Sequence, residues 1–153
     1  MTPEEMAALH ARAFPDNPWS AAEFARLTQA RGMVWMVNQD KTGLAFVQYV
    51  PPEAELLTLA VDPAARRRGV ATDLLRDLFS VLPSVKVDTL FLEVAENNAA
   101  ACALYLGESF DLVGRRAGYY ARAGAPAVDA LIMRRRLPLG HAPESPQELP
   151  ESG

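Results

Sequence analysis

Leu56-Leu57-Thr58-Leu59-Ala60-Val61-Asp62-Pro63-Ala64-Ala65-Arg66-Arg67-Arg68-Gly69-Val70-Ala71-Thr72 is the stretch whose reading decides the fold. Its first six residues form a short apolar run with the composition of a buried strand. Asp62-Pro63 ends that run, because proline lacks an amide donor and disfavours continued pairing. Further on, Leu74, Leu75, Leu78, Phe79 and Leu82 recur at the spacing of one helix face. A helix N-terminus exposes unpaired N–H groups and a partial positive charge. Here it follows three arginines and Gly69, a glycine that lets backbone approach a ligand closely. Strand, basic turn and helix start together make a pyrophosphate site. A merely solvated arginine turn is the weaker reading, since composition alone rarely puts Arg-Arg-Arg-Gly at such a junction. The turn lacks the Gly-Lys-Ser/Thr ending of a nucleotide-triphosphate loop and the three spaced glycines of a dinucleotide fingerprint.

Working outward, Thr2, Pro3 and Glu5 predict a capping box and a helix to about Ala13. Ser20 and Glu23 repeat the signal for a second helix, which Gly32 is expected to end. Met33 to Asn38 and Leu44 to Val50 read as a hairpin across an Asp- and Gly-containing turn. A third strand is expected from about Ala54 to Val61. The helix after the arginines should stop near Pro83, with a strand following over Thr89 to Val94. Asn97-Asn98 opens an alanine-rich helix to about Leu106, and strands follow near Phe110 to Tyr119 and Val128 to Arg136. The order implies one α/β domain over residues 1–137, a mixed sheet with helices on its faces. Residues 138–153 carry four prolines among Glu and Ser and read as a disordered tail.

The chain has 153 residues, half of them hydrophobic, which suits one domain with a real core. Its formal net charge of −4 argues against general nucleic-acid binding through Arg66 to Arg68 and Arg134 to Arg136. The arginine run is then a local feature suited to one small anion. A single cysteine, Cys102, allows no intrachain disulfide. Its bland reading as a small buried residue outweighs a nucleophile. Only His10 and His141 exist to pair with it, and no ligand spacing suggests a metal. No apolar run reaches the roughly 18–20 residues that span a bilayer, and the acidic start lacks a signal peptide's basic region. A cytoplasmic protein without membrane attachment is expected.

Glu93 lies near the carboxyl end of its strand, where ligands bind in open α/β sheets. Partial desolvation there would move a carboxylate toward the range of a useful base. A solvated strand-end residue is the competing reading. Asn98 reads equally as helix cap or ligand contact. Tyr105 reads as core or as a weak acid able to protonate a thiolate.

Arg66, Gly69 and Ala71 fill in order the Gln/Arg-x-x-Gly-x-Gly/Ala pattern of the Gcn5-related N-acetyltransferases, which the segment resembles. Leu92-Glu93-Val94, Asn98 to Ala101, Ala103-Leu104-Tyr105 and Arg115 to Tyr120 resemble the RimI-like, ribosomal-protein-alanine branch of that superfamily. Pro18-Trp19-Ser20 with Phe24 is similar to its N-terminal region, so the resemblance covers roughly Ala13 to Arg136. It implies the GNAT fold, a mostly antiparallel mixed sheet with helices on both faces. It implies Glu93 as general base and Tyr105 as general acid. Leu59, Ala60 and Val61, with Arg66, Arg67, Arg68, Gly69, Val70, Ala71 and Thr72, would hold acetyl-CoA as co-substrate, and Asn98 would also contact it. The implied acceptor is the N-terminal alanine of a small-subunit ribosomal protein. Another peptide N-terminus, a lysine or a small amine keeps the same chemistry, and a non-catalytic acyl-CoA-binding module is the reading from another class. Two departures stand out. Ala95 replaces a common arginine, and Ser109-Phe110 stands where Gly-Phe is usual. Either the helix ends early at Gly107, or Ser109 takes the left-handed conformation at roughly 1 kcal/mol.

Overall fold

The computed structural model describes residues 1–122 and 125–138. The proposed tail therefore lies, except for Pro138, outside the described residues. The elements run α1 (Pro3–Ala13), α2 (Ala21–Thr28), β1 (Met33–Val37), β2 (Gly43–Val50), β3 (Glu53–Val61), α3 (Val70–Val81), β4 (Thr89–Ala95), α4 (Ala99–Gly107), β5 (Asp111–Arg122) and β6 (Ala125–Arg136). That is the expected order, with short 3-10 turns at Pro63–Ala65 and Leu82–Val85 added. The six strands form one mixed sheet in the order β1-β2-β3-β4-β6-β5, flanked by helices. β1 pairs antiparallel with β2, and β6 antiparallel with both β4 and β5. β3 and β4 are parallel, as a connection through a helix requires.

The described residues form two compact units, residues 1–50 with 56–81 and residues 51–55 with 82–122 and 125–138. In the first, the Thr2 hydroxyl accepts the Glu5 N–H at 3.1 Å while the Glu5 carboxylate accepts the Thr2 N–H at 2.8 Å. This is the capping box that the sequence announces. Ser20 likewise caps α2 through the Glu23 N–H. α2 ends at Thr28 rather than at Gly32. The Gln29 and Ala30 N–H groups bond to carbonyls three residues back, both at 3.3 Å, which tightens and closes the helix. Gly32, at φ +72°, instead turns the chain into β1. Met6, Leu9, Phe24, Leu27, Leu44, Phe46 and Ala60 make the core of this unit. Each large side chain so buried contributes on the order of 2 kcal/mol.

His10 sits inside that core, 2% exposed, a placement that nothing in the sequence signals. Its Nδ1 accepts the Trp19 backbone N–H at 3.0 Å, so the ring proton is on Nε2, which donates to the Thr58 hydroxyl at 3.0 Å. The ring stacks on Trp19 with centroids 5.0 Å apart. His10 thus ties α1 to β3.

The second unit builds on Leu90, Leu92 and Val94 of β4, with Val87, Phe110, Met133 and Leu137. β4 alternates, its other face carrying the half-buried Phe91, Glu93 and Ala95. α4 runs to Gly107, and Ser109 takes the left-handed conformation, φ +68°. The helix therefore ends early at Gly107, as in the first expectation, but the left-handed residue is Ser109, as in the second. The Ser109 N–H bonds to the Leu106 carbonyl and the Phe110 N–H to the Tyr105 carbonyl, at 3.2 and 3.0 Å. That is the Schellman pattern, and its usual apolar contact is supplied by the Phe110 ring, 5.6 Å from the Tyr105 ring. The Arg135 guanidinium adds a hydrogen bond to the Glu108 carbonyl, a cation at a helix C-terminus. Cys102, expected to be buried, is half-buried, its thiol 3.8 Å from the Ala95 carbonyl.

Burial pushes the His10 pKa down to about 4, from 6.5. Between those values the unfolded chain binds the proton and the folded chain does not, so stability falls with falling pH. From pH 7 to pH 5 this group should remove about 2 kcal/mol. Urea unfolding at both pH values should show a smaller loss for His10→Gln than for wild type, and equal losses would contradict the assignment. Ser109→Gly should raise stability by about 1 kcal/mol in the same assay, because glycine adopts this φ without strain.

Candidate active site

In the first unit the site begins with the turn after β3. The Asp62 carboxylate accepts the Ala64 N–H at 3.0 Å and pairs with the Arg12 guanidinium at 3.1 Å. The Ala64 amide, and after it the Arg12 charge, hold that carboxyl below its ordinary pKa. Its own N–H donates to the Thr42 carbonyl at 2.7 Å. The chain then leaves the 3-10 turn through an extended Arg66 and passes through two left-handed residues, Arg67 at φ +65° and Gly69 at φ +79°. Left-handed residues within a turn are the backbone geometry of anion-binding concavities. For Arg67 that conformation costs roughly 1–2 kcal/mol, strain of the kind found at functional sites.

α3 starts at once, its first bond running from the Asp73 N–H to the Gly69 carbonyl at 2.9 Å. Thr2, Ser20 and Asn98 cap the other three α-helices with side-chain oxygens. Gly69 has no side chain to do so. The first N–H groups of α3, on Val70, Ala71 and Thr72, follow an exposed loop of Arg66, Arg67, Arg68 and Gly69. Outside its two chain neighbours, a Cβ built on Gly69 would meet nothing within 4 Å, so this residue borders open space. The residues present fit a pyrophosphate. Gly43 serves the same helix differently. A Cβ there would lie 2.6 Å from Val70 Cγ1, so glycine lets β2 start against α3. Upstream, Leu59 and Val61 are half-buried and Ala60 is buried. A cleft of about 310 Å³ beside the loop is lined by Asn38, Thr42, Arg68, Asp40, Asp73 and Asp77. Its three carboxylates make it a poor seat for a second anion.

In the second unit, Glu93 and Tyr105 stand on β4 and α4. Glu93 is one-fifth exposed and pairs with Arg116 of β5, Nη2 to Oε2 at 2.9 Å. Arg116 also lies over the Tyr119 ring, 5.0 Å from its centroid. The neighbouring Arg115 pairs with Glu96 at 2.7 Å and Asp129 at 3.0 Å. Asp129 accepts in turn the Gly118 N–H at 2.8 Å, where the β5–β6 register shifts. That amide first, then Arg115, keep the Asp129 carboxyl below its usual range, and Glu96 with Asp129 raises the Arg115 pKa. Tyr105 is 8% exposed and sits in the helix ending described above. Asn98 caps α4, its Oδ1 accepting the Ala101 N–H at 3.2 Å. The role of Arg116 is absent from the sequence reading. Glu93 and Arg116 meet only because β6 lies between their strands, and no local pattern signals that. Among the described residues no cluster of His, Cys, Asp or Glu is placed to hold a metal ion, and no helix is long and apolar enough to cross a membrane.

Residues 4–107 match the Acetyltransferase (GNAT) family. The chain belongs to that family. The acetyltransferase is 38% identical over 118 residues to the [ribosomal protein bS18]-alanine N-acetyltransferase of Escherichia coli strain K12, covering 76% of this chain and 79% of that one. It is 39% identical over 129 residues to an uncharacterized Mycobacterium leprae protein, covering 78% of this chain but only 34% of that longer relative. In three dimensions it resembles the crystal structure of the E. coli ribosomal-protein-S18-alanine N-acetyltransferase, with a TM-score of 0.78 and 33% identity over 88% of this chain and 87% of that one. The GNAT fold and the RimI-like branch inferred from the motifs are borne out.

Proposed function

We propose that this acetyltransferase moves acetyl from acetyl-CoA directly to the N-terminal alanine amine of a small-subunit ribosomal protein. Residues 1–137 would act as one catalytic domain in the cytoplasm. The observation that carries this reading is the 38% identity to the bS18-alanine acetyltransferase, which extends over most of both chains. Support from the site comes in two parts. Arg66 to Thr72 offer positive charge and exposed amides to the pyrophosphate, and Glu93 and Tyr105 offer an acid–base pair.

The amine attacks as its free base. Its lone pair forms the C–N bond to the thioester carbonyl carbon, and the C–S bond breaks. Glu93, through water, takes the proton lost by nitrogen, and Tyr105 returns one to the departing thiolate. Backbone amides around Leu59 to Val61 stabilise the oxyanion. An α-amino group has a pKa near ~8 and a thiol one near ~8.5, so neither transfer needs a strong acid or base. The Asn98 oxygen is committed to its helix cap, leaving its NH2 group to donate to the co-substrate.

Thiol release from acetyl-CoA with an alanine-first peptide tests the reading. Glu93→Gln and Tyr105→Phe should each lower turnover about 10²–10⁴-fold with little change in acetyl-CoA affinity. For Glu93→Gln, raising the pH should recover part of the rate. Absence of thiol release from wild type would favour an acyl-CoA-binding module, and parallel pH profiles would remove Glu93 as the base.

A further inference from the structure

The ion pair on Glu93 bears on which amines the site accepts, an inference that rests on the acetyl-transfer reading above. Glu93, Ile132 and Gly114 form one register row across β4, β6 and β5, and Ala95, Ala130 and Arg116 form the next. Within these six residues Glu93 and Arg116 carry the only charges. Ala130 is fully buried and small, the Ile132 side chain packs over Gly114 with its Cδ1 3.2 Å from where a Cβ would stand, and the Arg116 guanidinium reaches across β6 to Glu93. The nearby charges are already committed, since Arg115 is shared by Glu96 and Asp129. The Tyr119 ring under Arg116 helps hold the guanidinium in place.

A lone carboxylate at this point would attract any ammonium ion. A carboxylate already paired with a guanidinium presents no net charge, and a second cation must approach the guanidinium to reach it. We propose that Arg116 is the specificity residue of the site: by neutralising Glu93 it makes the enzyme bind acceptors as neutral amines, and so favours α-amino groups over lysine side chains. The arithmetic is set by the acceptors themselves. With amine pKa values near ~8 and ~10.4, the free base at pH 7 is roughly two hundred times more abundant for an N-terminus than for a lysine. A site that admits only the free base inherits that ratio, whereas one that binds ammonium loses it at the binding step.

Two measurements test this. The first compares kcat/KM for an alanine-first peptide with that for an N-terminally acetylated lysine peptide, in wild type, Arg116→Gln and Arg116→Lys. The preference should narrow at least tenfold in Arg116→Gln and survive in Arg116→Lys, where the positive charge is kept. An Arg116→Gln preference within twofold of wild type would overturn the proposal. The second uses wild type alone and stands even if Arg116→Gln does not fold. From pH 8 to 6.5, KM for the alanine-first peptide, counted as total peptide, should rise about fifteenfold while kcat holds, because the ammonium form does not bind. Constant KM with falling kcat would show that ammonium binds and would overturn it. Wild type that releases no thiol with either peptide overturns the functional reading and the proposal together, whereas normal turnover with an unaltered preference overturns the proposal alone.

Discussion

The first unit depends on one backbone constraint, the passage of the chain from β3 into α3 through two left-handed residues. Asp62 ends the strand and gathers the Ala64 amide and Arg12 onto one carboxylate. This holds the turn that delivers Arg67 and Gly69 to positive φ. The helix then begins at a residue that cannot cap it, with its first amides left without a side-chain partner from that residue. Arg67 bears strain that a glycine would not, yet an arginine supplies charge that glycine lacks. The resulting surface is built from backbone dipoles and full charges of one sign, which is what a pyrophosphate requires.

In the second unit the proposed acid–base groups are placed by a different device. Tyr105 is fixed by the hydrogen bonds that close α4 and by its contact with Phe110, so the helix terminus and the position of the hydroxyl are parts of one motif. Glu93 is fixed from across β6 by Arg116. Adjacent arginines on β5 thereby do different work. Arg115 secures the shifted register through Asp129 and Glu96, and Arg116 sets the charge beside the proposed base.

Much of this was legible in the sequence where the signal is local. The Thr2 and Ser20 caps, the Asp62-Pro63 stop, the spacing of Leu74, Leu75 and Leu78, and the arginine loop all act within a few residues of themselves. The end of α2 does not fall at Gly32, because glycine is used there for a turn into β1, and a glycine's φ requirement does not say which turn it serves. Which residue closes α4 in the left-handed conformation was open for the same reason and fell to Ser109. His10 with Thr58, and Glu93 with Arg116, were beyond reach, since their partners lie 48 and 23 residues away in sequence and meet only through packing and strand order.

The proposed role of the left-handed turn before α3 is to hold the co-substrate through its amides. Calorimetric titration of acetyl-CoA into wild type and Gly69→Val tests it most directly. Apart from its two chain neighbours, no residue comes within 4 Å of a Cβ at this position, so the variant should fold with only the left-handed strain against it, roughly 1–2 kcal/mol. Wild type should bind acetyl-CoA and the folded variant should not, because the added methyl groups stand where the phosphates would approach the backbone. Binding of unchanged affinity by a folded Gly69→Val protein would contradict it.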